Sequence, residues 1–420
     1  MHWVRHIFLI ALATSPSLAA AEDTAGSLAA EALGANPTLD ARRAQVEQLS
    51  AMAQVAGAWP DPMLAIELSN VPTSSFALGG HGMSGVQLRA SQTTRPLRWS
   101  SMQHELGDAQ TEVAQQALVE AEWQLGATVE RLYWRLTLSR LLRAVTEEHL
   151  ARTQELHSAV LARYEVGKAG QHAVLRLEVL RDRLADSLDD FERTDAVLTA
   201  ALTRATGRTA GAFETPTEIA PLSPPPDGAW AGLAQTHRPE LARMQAQVRQ
   251  HEAAAQLARN EGMPDLSFWL GYRVRTFTGA SDSGTDLVSA GLSVPLGLNS
   301  SRKASGLAAA HLHSAEGSRA AYAAELDRID EQLASVTARW HRAFSKAGTY
   351  DIGLLPAARA TLDTTLSDYT LDKADFASLY DAQVVLLDLE RAWLIATVET
   401  HLQRTEALAV LGTTPEGGAQ

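Results

Sequence analysis

The chain has 420 residues, of which 45 % are hydrophobic and 20 % charged, enough to bury a core in two or three domains or in one duplicated body. Its formal net charge of −13 excludes nucleic acid as a partner, because counterion release needs clustered Lys and Arg. Aromatic residues make up only 6 % and alanine is abundant, as in closely packed helices, while the absence of cysteine rules out disulfides, thiolate metal sites and a lipid-modified N-terminal cysteine.

Residues 1–21 read as a secretory signal. Arg5, between His2 and His6, supplies a weak positive start, and Ile7 to Ala13 a short apolar core. Ser17-Leu18-Ala19 or Ala19-Ala20-Ala21 offers a cleavage site; the alternative is a buried N-terminal helix. Beyond it no apolar run reaches the roughly 18 residues of a transmembrane helix. Glu22 to Gly34 allows a short helix, and Asn36-Pro37 opens another near Thr38, which Trp59-Pro60-Asp61-Pro62 stops.

After Pro62 the period changes to two. Leu64, Ile66 and Leu68 alternate with Ala65, Glu67 and Ser69, and Val86, Leu88 and Ala90 with Gln87, Arg89 and Ser91. Two strands are therefore expected at about 63–71 and 85–95, joined by a Gly- and Ser-rich loop. A second pair follows Pro264, at about 265–275 and 286–296, where Phe268, Leu270 and Tyr272 alternate with Trp269, Gly271 and Arg273. Each run approaches the 9–11 residues with which a tilted strand crosses a bilayer. Four strands cannot close a barrel alone, and lipid does not tolerate open edges, so membrane strands would require oligomerisation. The alternative is a small soluble sheet capping a helical body.

Ser100 to about Tyr164 contains no proline and would extend about 95 Å as a helix. It runs into Tyr164-Glu165-Val166-Gly167-Lys168-Ala169-Gly170, after which a return helix runs from about His172 to Ala205. The second long run, from Arg302 to about Asp368, contains Pro356, which should kink it unless a neighbour compensates. Tyr369-Thr370-Leu371-Asp372-Lys373-Ala374-Asp375 then precedes a return from about Ala374 to Leu411. Tyr164 and Tyr369 lie 205 residues apart (369 − 164), the offset that also carries Lys168 to Lys373 and Gly207 to Gly412. The chain is therefore read as a duplication: a first repeat over 22–207 with a hairpin tip at about 164–171, a connector over 208–236, a second repeat over 237–412 with a tip at about 368–376, and a tail over 413–420. Ser223-Pro224-Pro225-Pro226-Asp227 marks the connector as surface. Helices this long need packing partners, and their apolar stripes are wide enough for neighbours on two sides.

In this arrangement the chain resembles the TolC family of outer-membrane efflux proteins over nearly all of its length after the signal. The resemblance is carried by Asn36-Pro37-Thr38-Leu39 and Arg238-Pro239-Glu240-Leu241, by the strand entries at Pro62 and Pro264, by the exits at Pro96 and Pro295, by the paired tips and by Gly207 and Gly412. It implies a mainly α fold with membrane β-strands. Each chain of a homotrimer would give four strands to a twelve-stranded β-barrel in outer-membrane lipid and its helices to a periplasmic α-barrel. It also implies that the tips lie at the far end of the duct, close it at rest and meet a periplasmic adaptor (a membrane fusion protein) served by an inner-membrane pump of RND or ABC type. Val166-Gly167-Lys168 resembles the family's docking turn, and Leu371-Asp372-Lys373 stands at the second tip without the glycine. Asp368, Asp372 and Asp375 would form acidic rings at the periplasmic aperture, or simply cap and solvate a helix. Trp59-Pro60-Asp61-Pro62-Met63 with Ser69-Asn70-Val71-Pro72 resembles the heavy-metal (CzcC/CusC-like) branch. Met63, His81 and Met83 read as ordinary loop and strand residues rather than soft ligands.

No Walker A loop, G-x-S-x-G or H-E-x-x-H occurs, and no histidine has the Glu-x-x-His spacing of a di-iron bundle, so neither a cofactor nor an enzymatic activity is expected. A passive export duct, for tripartite efflux or type I secretion, is the first reading. A periplasmic adaptor or scaffold using its hairpins for protein contacts is the second. A helical-bundle metalloenzyme lacks ligands.

Overall fold

The structure is a computed structural model, described here for residues 23–74, 76, 83–208, 213–226, 230, 232–275 and 285–412. The expected signal, the tail and His81 lie outside these residues. The elements run α1 (Ala25–Ala35), α2 (Pro37–Val55), β1 (Met63–Ser69), β2 (Gly85–Thr94), α3 (Trp99–Glu165) and α4 (Gln171–Thr206). A second series follows: α5 (Leu233–His237), α6 (Pro239–Asn260), β3 (Leu266–Val274), β4 (Leu287–Ser293), α7 (Ser300–Thr349), a π-helical turn (Tyr350–Leu354), α8 (Leu355–Thr370) and α9 (Phe376–Leu411).

Local chemistry places the boundaries. Pro37 and Pro239 each stand in the first turn of a helix, where a missing N–H costs nothing, and the Asn36 side chain caps α2 by accepting from Thr38 N at 2.9 Å. α4 ends at Gly207 (φ 74°), whose N–H donates to Thr203 O, and α9 at Gly412 (φ 78°), whose N–H donates to Leu408 O. The strands are shorter than their periodicity suggested. β1 stops at Ser69 because Asn70 turns left-handed (φ 55°), and Arg275 N–H leaves the ladder for Asp286 Oδ1 at 2.9 Å. β2 and β4 stop just before the residues that precede Pro96 and Pro295, which are confined by those prolines.

Pro356 produces a π turn rather than a break. Leu355 N–H donates to Tyr350 O, five residues back, so the ladder is already shifted where the proline lacks a donor. None of the five π residues is buried.

The chain divides into two compact units. One comprises residues 33–128, 222–346 and 399–420 and holds the sheet, an antiparallel ladder in the order β1-β2-β3-β4. Its helices pack closely: a methyl at Gly107 would stand 2.8 Å from Ala53 Cβ, and one at Gly262 2.9 Å from Ala304 Cβ. Here the connector, whose Ser223 and Pro226 are exposed, is anchored through its backbone. Leu222 accepts from Trp340 Nε1 at 2.8 Å and donates its N–H to Thr400 Oγ1 at 2.9 Å, while Trp230 packs on Trp340. The Pro-rich stretch is thus tethered beside buried aromatic surface, an arrangement set by residues far away in sequence. A buried ionic cluster joins the helices: Arg238 meets Glu240 and Glu325, both at 2.8 Å, and donates to Val410 O.

The other unit comprises 1–32, 129–221 and 347–398. Val160 of α3, Leu177 of α4, Leu355 and Leu362 of α8, and Leu379 and Leu386 of α9 form its main core. Arg208, just past α4, holds Asp23 and Glu31, each at 2.8 Å, and covers the face of the buried Phe213. The Arg208 guanidinium in turn holds the Asp23 carboxyl below its ordinary range.

Arg238→Ala should destabilise the first-described unit by roughly 2–3 kcal/mol, since Glu325 would keep only Arg328 and the Val410 carbonyl would lose its donor. Circular-dichroism melting of the purified protein would read this as a lowered Tm.

Candidate functional site

The two hairpin tips are built alike. At the first, Gly167 N–H donates to Tyr164 O (2.9 Å) and Lys168 N–H to Arg163 O (2.7 Å). At the second, Asp372 N–H donates to Tyr369 O (3.3 Å) and Lys373 N–H to Asp368 O (2.8 Å). Both are Schellman endings, and both put the next-to-last donor residue in the left-handed region: Gly167 at φ 76° and Asp372 at φ 59°. Asp372 therefore occupies the glycine position, which for a residue with a Cβ costs about 1 kcal/mol.

The candidate residues are divided by their surroundings. Val166, Lys168, Leu371 and Lys373 are exposed. Asp375 is exposed as well, but its Oδ1 accepts from Ser378 N–H at 2.9 Å at the start of α9, and Ser378, through its hydroxyl first and this N–H second, lowers its pKa. Asp368 is half-buried. Asp372 is ion-paired with Arg163, and Lys168 Nζ lies 3.9 Å from its other oxygen. Arg163 also donates to Tyr369 O and stands 4.7 Å over the Tyr369 ring. Sequence reasoning missed Arg163 as the link between the tips. Its signal was its equivalence, at the 205-residue offset, to Asp368 (368 − 163).

A second polar cluster lies in the same unit. His149 of α3 is fully buried, with Nε2 2.8 Å from Glu390 Oε2 and Nδ1 3.0 Å from Gln383 Nε2. Arg359 of α8 donates to the other Glu390 oxygen at 2.9 Å. Burial pushes the Glu390 carboxyl up, but His149 and Arg359 together outweigh it and hold the group below its ordinary value.

The sheet presents two unlike faces. In the paired rows Ile66–Leu88–Tyr272–Val288 and Leu64–Ala90–Leu270–Ala290, the large side chains all point to one side. They stay exposed there, Leu64 by 73 %, Ile66 by 71 % and Val288 by 70 %. The opposite side carries the rows Glu67–Gln87–Arg273–Leu287 and Ala65–Arg89–Gly271–Ser289. Met63 and Met83 are exposed, Met63 as the first residue of β1. No helix among the described residues is long and apolar enough to cross a membrane.

No protein-family model matches the chain, and no curated protein matches it in sequence. Solved structures do match in three dimensions. The outer-membrane channel OprN gives a TM-score of 0.78 at 16 % identity, with 92 % of this chain and 89 % of that one covered. CusC, described in terms of transmembrane channel formation, gives 0.75 at 16 %, covering 93 % and 92 %. The open state of the Neisseria gonorrhoeae MtrE outer-membrane channel gives 0.72 at 14 %, covering 93 % and 89 %. These neighbours are TolC-family outer-membrane channels, and the chain shares their fold.

Gly167→Ala should cost about 1 kcal/mol although nothing lies within 4 Å of the new methyl, because the penalty is conformational. Asp372→Gly should be close to neutral, relief of the left-handed strain offsetting an exposed ion pair; chemical denaturation of both variants would read the contrast. Glu390 stabilises the fold above its unfolded-state pKa, and that contribution is lost as pH falls through the lowered folded value. The Tm difference between wild type and Glu390→Gln should therefore be widest near neutrality and shrink at about pH 3.

Proposed function

We propose that the chain is one subunit of a homotrimeric outer-membrane channel, a passive export duct with no chemistry of its own. The observation that carries this reading is the exposed apolar face of a four-stranded sheet whose edge strands, β1 and β4, are each paired on one side alone among the described residues. In water such a face and two such edges are liabilities. Closed into a ring with two further copies, they become a lipid-facing band with every backbone group paired. The shared fold with outer-membrane channels supports the same conclusion.

The helices would then form the periplasmic α-barrel of the trimer, and the tips would dock a periplasmic adaptor linked to an inner-membrane pump. Val166, Gly167 and Lys168 would lead at the first tip, with Leu371, Asp372 and Lys373 contributing at the second. For the aperture, Asp368, Asp372 and Asp375 remain the residues of the proposal. Their charge is unequal in effect: Asp372 is offset by Arg163 and Lys168, and Asp375 is engaged as a helix cap. Heavy-metal export rests only on the sequence of Trp59 to Met63 together with Ser69 to Pro72. The structural likeness runs as far to OprN as to CusC and does not favour that cargo.

Outer-membrane fractions should yield heat-modifiable trimers that conduct in planar bilayers. A protein purified as a soluble periplasmic monomer would overturn the reading in favour of a scaffold. Asp372→Ala, by releasing Arg163, should raise resting conductance several-fold in the reconstituted channel, whereas unchanged currents would remove the tip from the gate.

A further inference from the structure

We propose that the polar face of the sheet is an anion-preferring wall, and that Arg273 supplies its uncompensated charge. This rests on the channel reading, in which that face lines the bore.

The charges on the face do not cancel. Arg89 on β2 reaches diagonally to Glu67 on β1, with Nη2 3.2 Å from Oε2, so these two neutralise each other. Arg273 on β3 lies in the same row as Glu67, but Gln87 stands between them. Its Nη2 donates to Gln87 Oε1 at 2.8 Å, a neutral acceptor, and its Nε is buried without a partner. Among the described residues no carboxylate comes within ion-pair distance of it. Lower on the sheet Arg95 and Asp265 form a neutral pair at 2.8 Å. Each copy thus contributes one net positive charge to two adjacent rows, and a closed trimer would gather three at one level.

The surroundings hold these side chains flat along the wall. A methyl at Gly271 would stand 2.6 Å from Gln87 Nε2, and one at Gly291 2.4 Å from Trp269 Nε1. The two glycines leave the space in which Gln87 and Trp269 lie across neighbouring strands. Gln87 then carries Arg273, and the Trp269 ring carries Arg89, whose guanidinium sits 4.6 Å from the ring centroid. A guanidinium fixed in this way would attract anions and repel cations in the bore.

The test is the reversal potential of the reconstituted channel across a KCl gradient, for wild type, Arg273→Gln and Arg273→Lys, with trimer assembly checked on gels. Arg273→Gln should lower the chloride-to-potassium permeability ratio on the order of three- to tenfold, Arg273→Lys should preserve it, and the difference should shrink as salt is raised. A conducting Arg273→Gln trimer with an unchanged ratio would overturn the proposal while leaving the channel reading intact. A wild-type protein that does not conduct would overturn both. If Arg273→Gln fails to assemble, the ratio in Arg89→Gln decides instead: freeing Glu67 against Arg273 should produce the same loss of anion preference, and an unchanged ratio there refutes it.

Discussion

The constraint on which the architecture depends is the outer face of the sheet. Leu64, Ile66, Leu68, Leu270, Val288 and Leu292 form a continuous apolar surface that no described part of the chain covers. Burying a side chain of this size is worth about 1.5–3 kcal/mol, so leaving six or more exposed to water is a large standing penalty. A lone chain cannot satisfy the face and the two free edges together. In the channel proposed above, lipid outside and further copies at both edges would satisfy all three.

The two hairpins are alike in backbone and unlike in side chains. Backbone bonds at the tips are equivalent one for one, down to the left-handed residue. The side chains are not. Glycine in the first copy leaves that turn bare, whereas aspartate in the second introduces a charge at a strained position and ties it to Arg163. Strain held by an ion pair at one tip and its absence at the other make the tips mechanically unlike while geometrically alike.

Much of this was legible in the sequence because it is local. Alternation over Leu64 to Ser69 requires only the strand period, and Gly207 and Gly412 end their helices through their own φ freedom. What escaped reading depends on partners far along the chain. His149 is an ordinary helical position until Gln383 and Glu390 arrive, more than 230 residues later, to satisfy both ring nitrogens. That the Pro-rich connector is anchored at its Leu222 backbone depends on Trp340 and Thr400, more than 100 residues away. Pro356 signals disruption, but only the backbone shows that a shifted ladder absorbs it. The polar face was legible as polar. That its arginines do not balance needed the register, which sets Gln87 rather than Glu67 beside Arg273.

The register has a kinetic consequence too. Thr93 and Ser267 share a hydrogen bond across the β2–β3 seam, yet stand 174 residues apart in sequence. The β1–β2 hairpin is therefore synthesised long before its neighbour, and its inner edge has nothing to pair with in the interval. Closing so large a loop makes the seam slow to form, and an open edge beside an apolar face aggregates readily. A nascent chain must then be shielded, or kept unfolded, until its second half is available. Formation of this seam is expected to be the slow step in folding of the chain.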